Sequence, residues 1–293
     1  MYLHHKDLTV DGCHLADFGP NGIDAAGFLG NPVDDDAVIT RNIIDGTGGS
    51  NFGIVQNGDN ARIEKNQVVM DPGKTAINLG FADHFLAHVT KNKVTGDVLI
   101  SRAVAFSDHN LVQQGQVDFK GPVLRSSHDS IVDGQLILEA NSNMVVSDAK
   151  VSGAANEGVL INTNDVDLPR LTVTDSTTTG VLMLASFFVA LEQAKISNCA
   201  QGIVIDSNSK AALLGCKITG SGSIGLDVQG LESTITGNHV TGSGTVGVHL
   251  GAISTDNVLS KNVVKGSGDF DLQDDSGGAN TIDADNVFGT TAP

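Results

Sequence analysis

A six-residue phrase returns along the whole chain and leaves little freedom in what such a chain can fold into. It runs apolar, polar pair, Asn or small residue, polar, then Val, Ile or Leu. Copies are Ile39-Thr-Arg-Asn-Ile-Ile44, Ile63-Glu-Lys-Asn-Gln-Val68, Val89-Thr-Lys-Asn-Lys-Val94, Ile235-Thr-Gly-Asn-His-Val240 and Leu259-Ser-Lys-Asn-Val-Val264. With its last residue as anchor, the positions are 15, 44, 68, 94, 117, 136, 151, 173, 196, 218, 240, 264 and 288. The mean step is about 23 residues, the length of a β-helix coil. A second phrase follows most anchors: glycine, then alternating apolar positions, as in Gly158-Val-Leu-Ile161, Gly202-Ile-Val-Ile205 and Gly247-Val-His-Leu250. Period-two alternation predicts a strand with one inward and one outward face. The glycine before it predicts a corner that needs a tight bend or a positive φ. Short strands at a fixed step stack into parallel sheets. The predicted fold is therefore all-β, a single right-handed parallel β-helix (solenoid) over residues 1–293, with about 12–13 coils of ~22–23 residues.

Stacking also predicts columns. Asn42, Asn66 and Asn92 share one, as do Asn238, Asn262 and Asn286, while Cys13, Ala149, Ala194 and Cys216 fill the same place in other coils. Amides one coil apart, ~4.8 Å, can hydrogen-bond along a buried row. Composition agrees: there is no Trp, one Tyr and 11 Phe, so the core is built from small and β-branched side chains rather than rings. No apolar run approaches the ~20 residues of a membrane span. Cys13, Cys199 and Cys216 are odd in number and lack metal-ligand spacing, which predicts free thiols in the core.

The balance of 17 basic against 34 acidic residues, a net charge of −17, disfavours nucleic acid and anionic membranes as partners. No signal peptide is visible after Met1. The expected location is extracellular or cell-surface, in a longer or processed (secreted) form. A solenoid without end caps exposes strand edges, so it is expected to be a homo-oligomer or part of a longer parent chain.

The pair of phrases, Asn-x-Val/Ile followed by Gly-Ile/Val-x-Val/Leu, resembles the repeats of the pectate-lyase-like (pectin lyase-like, PbH1-repeat) β-helix superfamily over residues 8–288. That superfamily includes polysaccharide lyases, polygalacturonase-like hydrolases, mannuronan C-5 epimerases, phage tailspikes and noncatalytic surface proteins. The resemblance implies a polysaccharide partner. The chain has no Asn-Thr-Asp with Gly-His-Gly, no Arg-Ile-Lys, no Asp-Pro-His and no Gly-Gly-x-Gly-x-Asp, so no residue role is carried over.

Candidate site residues come from the polar turns of the N-terminal half. Asp34, Asp35 and Asp36 are followed by Asp59-Asn60, Asp83-His84, Asp108-His109 and His128-Asp129, read as one turn column on five successive coils. Acids stacked at ~5 Å repel unless a cation, a shared proton or a histidinium relieves them. Arg102 and Arg125, each read as just after a strand, flank this column, and Lys120 is near. Three chemistries suit it. A lyase or epimerase of an acidic polysaccharide would use His109 or His128 as base and Arg125 to stabilise the intermediate. A glycoside hydrolase would use the pair Asp108 and Asp129, at ~5 Å across adjacent coils. A Ca²⁺ site would use Asp59, Asp83 and Asp108. The alternative to any enzyme is a noncatalytic solenoid: an adhesin, fibre segment or carbohydrate-binding scaffold. The remaining histidines, including His239 and His249, are expected to be solvated or internally satisfied.

Overall fold

A computed structural model describes residues 7–25, 36–56, 60–79, 87–100, 105–120, 125–139 and 143–292. The chain divides into two compact units, Met1–Met144 and Val145–Pro293. In the first, each coil contributes one strand to each of three parallel sheets. The first sheet contains Thr9–Asp11, Val38–Thr40, Arg62–Glu64, Ala87–Thr90, Ala105–Asp108 and Arg125–Ser127, side by side in chain order. The second contains His14–Ala16, Ile43–Gly46, Gln67–Met70, Lys93–Thr95, Leu111–Gln113 and Ser130–Val132. The third contains Asn21–Ala25, Phe52–Gln56, Thr75–Leu79, Asp97–Ile100, Val117–Phe119 and Leu136–Leu138. The second unit repeats the plan. Beyond the boundary strand Met144–Ser147, its sheets run from Val166–Pro169 to Thr281–Ile282, from Lys150–Ser152 to Val287–Phe288, and from Val159–Ile161 to Phe270–Asp274. No helix occurs among the described residues.

Alternation does the sorting. In the first unit Ile39, Ile63 and Val89 of the first sheet, Ile44, Val68 and Val94 of the second, and Ile23, Ile54 and Ile77 of the third point inward and are at most 1 % exposed. Ile196, Ile218 and Val240 form the matching row of the second unit. Each row is a continuous apolar stripe, and that burial is the main source of stability.

Two of the predicted anchors are displaced. Val94 pairs with Val112, and Val112 with Ile131. Val117 and Leu136 instead belong to the third sheet, where they pair with Val98 and with each other. The physical reason is that these two coils are short, so the inward residue of the third sheet falls near the place where a 23-residue step would put the second-sheet anchor. The glycine phrase also needs a different explanation. Gly202 lies inside the strand Gln201–Ile205, and its φ is not positive. A Cβ there would sit 2.1 Å from the Gly225 carbonyl oxygen and 2.6 Å from Ile218 Cγ2. Close approach of adjacent coils, not a corner, excludes side chains at this position.

The asparagine column forms as expected and gains two members through the register change. Asn42 donates its backbone N–H and Nδ2 to Asn66 Oδ1, both at 3.0 Å, and Asn66 donates in the same way to Asn92. Asn92 donates to Asn110 Oδ1, and Asn110 to Asp129 Oδ1 at 2.8 and 3.0 Å. In the second unit Cys216 N–H, Asn238 and Asn262 continue the pattern to Asn286. Each amide satisfies turn groups that would otherwise be buried without partners.

The thiols follow the column logic. Cys199 and Cys216 are 2 % and 1 % exposed and no cysteine is paired. Burial pushes the Cys216 thiol up to about 11, whereas Cys13 is only part-buried. Thiolate is the reactive form. Iodoacetamide at neutral pH should therefore label Cys13 in the native protein and leave Cys199 and Cys216 intact until denaturant is added. Rapid native labelling of Cys216, read by peptide mass spectrometry, would contradict this core.

Candidate functional site

The turn between the first and second sheets places the clearest cluster. Its apex residue takes a positive φ, +56° at His109 and +55° at His128. The His109 N–H donates to the Ser127 carbonyl oxygen at 3.1 Å, so the parallel ladder continues through the turn. This stacks the two imidazoles with centroids 4.6 Å apart and planes 21° from parallel. Both rings turn Nδ1 toward Asp108: His109 Nδ1 is 2.8 Å from Oδ2, and His128 Nδ1 is 3.4 Å from Oδ1. Ser127 Oγ also donates to Oδ1 at 2.7 Å. Partial burial pulls the Asp108 carboxyl upward, but the hydrogen bonds from Ser127, His109 and His128 outweigh it and hold the carboxyl below its ordinary value. With Nδ1 directed at the Asp108 carboxylate, Nε2 of His109 is the ring nitrogen left to act as a base.

The outer face of the first sheet supplies the neighbours. Phe106 pairs with His88 on one side and Arg125 on the other. The His88 and Phe106 rings stack at 5.1 Å between centroids, 18° from parallel. Arg125 is exposed and has no ion pair among the described residues. It opens its strand rather than following one. Because Asp108 pairs with Ser127, two residues beyond Arg125, the guanidinium shares the outward face with the Asp108 cluster. His109, His128, Arg125 and Asp108 are thus brought into one neighbourhood.

Asp129 is not part of it, which corrects the paired-aspartate expectation. Its side chain points inward, is 4 % exposed, and ends the asparagine column. It accepts from Ser107 Oγ at 2.6 Å, from Ser126 Oγ at 2.7 Å, and from Asn110 through both nitrogens. Burial raises its carboxyl against those hydrogen bonds. Asp108 faces outward and Asp129 inward, so the two cannot flank one glycosidic bond.

The acidic column also divides. Asp36 and Asn60 sit at a positive-φ turn before the first sheet, whereas Asp108 is the last residue of its first-sheet strand, aligned with Thr90 and Glu64. The two turns were merged by the displaced anchors. Asp59, Asp83, His84, Asp34, Asp35 and Arg102 lie outside the described residues. The calcium set Asp59, Asp83 and Asp108 therefore contributes one described ligand, already engaged by Ser127 and the imidazoles. The ligand atoms of Asp108, His109 and His128 lie within 4.8 Å of one another, a mixed nitrogen and oxygen set that suits a zinc-class ion better than calcium.

Two further polar clusters lie elsewhere, and Lys120, expected near the turn column, belongs to one of them on the third sheet. On the third sheet, Asp118 faces outward yet is 4 % exposed. Lys120 Nζ sits 3.0 Å from Asp118 Oδ2 and 3.5 Å from Glu139 Oε2. Burial pushes the Asp118 carboxyl up, against the opposing Lys120, and half-burial raises Asp97 in the same way. The available signal was an outward aspartate in an otherwise apolar strand, Val117-Asp-Phe119. In the second unit His249 bridges Asp227 at 2.9 Å and Asp275 at 3.2 Å, an internally satisfied histidine.

Known proteins resemble this chain in architecture. Residues 179–291 match the family described as right handed beta helix region. The periplasmic alginate epimerase AlgG is similar with a TM-score of 0.63 at 10 % identity, over 88 % of this chain and 77 % of that one. The A-module of Azotobacter vinelandii mannuronan C-5 epimerase AlgE6 gives 0.63 at 13 % identity, over 97 % and 90 %. Tailspike protein 3 of bacteriophage CBA120 gives 0.51 at 10 % identity, over 95 % and 56 %. No curated protein matches by sequence. At such identities the likeness is one of fold. Coil plan, asparagine column and structural neighbours agree: the chain folds as a right-handed parallel β-helix.

Proposed function

We propose that this is a carbohydrate-active β-helix that acts outside the cytoplasm on an acidic polysaccharide, by lyase or epimerase chemistry. The carrying observation is the His109 imidazole held at 2.8 Å by Asp108, with Arg125, which has no ion pair among the described residues, on the same face. Nε2 of His109 would take the proton next to a uronate carboxylate, and Arg125 would stabilise the charge that develops there. In β-elimination the C–H electrons form the new double bond, the glycosidic C–O bond breaks, and the leaving oxygen takes a proton. In epimerisation a proton returns to the opposite face. In elimination the stacked His128 would give the leaving oxygen its proton; in epimerisation the returning proton would come from solvent on the other face of the sugar. Alginate epimerases among the structural neighbours support the substrate class.

A second reading has its own observation. Asp118 and Glu139 flank Lys120 on adjacent coils, and a carboxyl raised by burial is the state a general acid needs in glycoside hydrolysis. The test is incubation with alginate, polygalacturonate and glycosaminoglycans, with and without calcium. Ultraviolet absorbance of an unsaturated product reports elimination, and deuterium uptake from heavy water reports epimerisation. New reducing ends without unsaturation, abolished by Asp118→Asn, would replace the first reading with the second. Absence of any product would leave a noncatalytic binding scaffold.

A further inference from the structure

The positive-φ turn that carries His109 and His128 continues down the first unit as Arg41, Lys65 and Lys91, with φ of 56°, 56° and 57°. Backbone hydrogen bonds prove the alignment. Arg41 N–H reaches the Glu64 oxygen, Lys65 N–H the Thr90 oxygen, and Lys91 N–H the Asp108 oxygen, at 3.1, 3.0 and 2.9 Å. Five successive coils therefore present a cation or an imidazole at one turn apex, in steps of ~4.8 Å. Exposed Arg62, Lys93 and Arg125 stand beside them. Arg41, Arg62, Lys65, Lys91, Lys93 and Arg125 are six of only 17 basic residues in a chain of net charge −17.

The turn itself does not call for these side chains. A left-handed backbone favours glycine, asparagine and aspartate over long side chains. The equivalent positions of the second unit are Asp148, Arg170, Gln193, Gly215, Gly237 and Lys261, and Arg170 is paired with Asp148, so no run of unpaired cations forms there among the described residues. Arg41 is neutralised by Asp11 and Arg62 by Glu64. Lys65, Lys91 and Lys93 have no carboxylate partner among the described residues, although acids outnumber bases two to one. Like charges one coil apart repel, so the column carries a cost that an external polyanion would remove.

We propose that this ridge is a docking rail for the carboxylates of a linear acidic polysaccharide, running from Arg41 through Lys65 and Lys91 toward His109. The choice of ligand rests on the function proposed above. A polyuronate fits because it carries one carboxylate per sugar, a spacing of the same order as the coil rise, and can engage successive apices at once.

The test measures binding separately from turnover, by titration calorimetry of a long oligouronate into the His109→Ala protein at low salt. Adding Lys65→Asn and Lys91→Asn should weaken binding tenfold or more and flatten its salt dependence, with melting temperature unchanged or raised because asparagine suits a left-handed turn. Lys195→Asn with Lys217→Asn, on the second unit, should leave binding unchanged. Equal losses in both pairs, unchanged affinity in the first pair, no binding at all, or binding of duplex DNA in preference to the uronate would each overturn the rail. Binding through Lys65 and Lys91 by a protein that turns over no polymer would sink the catalytic reading alone.

Discussion

Asp129→Leu should destabilise the protein by about 3 kcal/mol or more in urea unfolding, because it removes the acceptor of the Asn110 backbone N–H and of the Ser107 and Ser126 hydroxyls, each costing about 1–3 kcal/mol unpaired. Both Asn110 nitrogens currently donate to Asp129 Oδ1, and the Ser107 and Ser126 hydroxyls donate to Oδ2. Leucine fills the space and offers no acceptor. Asp129→Asn should behave differently, since it keeps Oδ1 for Asn110 and the serine hydroxyls can rotate to accept from its Nδ2. The aspartate carboxyl is raised by burial, so the folded state holds its proton to higher pH than the unfolded state. Wild-type stability then falls as pH rises from the ordinary carboxylate range through the raised value. The asparagine variant lacks this titration, and its stability relative to wild type should grow with pH over that window. Asp118 and Asp97 are raised too, but both are present in each protein and cancel in the difference. A pH-independent difference, or a leucine variant as stable as wild type, would mean that Asp129 does not cap the column.

That residue also marks the limit of what the repeat made legible. Coil number, parallel stacking, inward anchors and the asparagine ladder all follow from spacing, because a solenoid places residues one coil apart in contact. Spacing fails where the coil length changes. Between Val94 and Ile131 the coils shorten, and Val117 and Leu136 are as apolar as true anchors. Apolar pattern alone cannot assign a strand to one sheet or another. The Asn-Leu-Val run at 110–112 held the missing signal, since Asn110 two residues before Val112 repeats the Asn92 and Val94 spacing.

The site was legible in composition and not in position. His109, His128, Arg125 and Asp108 do gather, because residues within three positions on adjacent coils must lie near one another. Whether a turn aspartate faces solvent or the core depends on a single step of register. Asp108 and Asp129, read as equivalents, fall on opposite faces for that reason. The Asp118 and Lys120 cluster was hidden because the outward face of a strand reads as solvent, and burial of that face comes from tertiary packing.

The largest expected effect on chemistry is at His109. His109→Ala should lower kcat on the responsive polyuronate by about 10²–10⁴-fold, the usual contribution of a positioned general base. The fold should survive, since the side chain is 54 % exposed and its turn is held by a backbone hydrogen bond. Unchanged circular dichroism and urea midpoint would establish this. Added imidazole should restore part of the lost rate by entering the vacated space, which a merely structural defect would not show. Asp108→Asn should give a smaller loss, because the amide can still accept from Nδ1 but no longer favours the charge that His109 gains in the transition state. Arg125→Ala should raise KM and lower kcat together if the guanidinium meets the substrate carboxylate before and during proton transfer. His239→Ala and Lys217→Ala, on the second unit, should leave both constants unchanged. Full activity in His109→Ala together with its loss in Asp118→Asn would move the reacting centre from the turn to the third sheet.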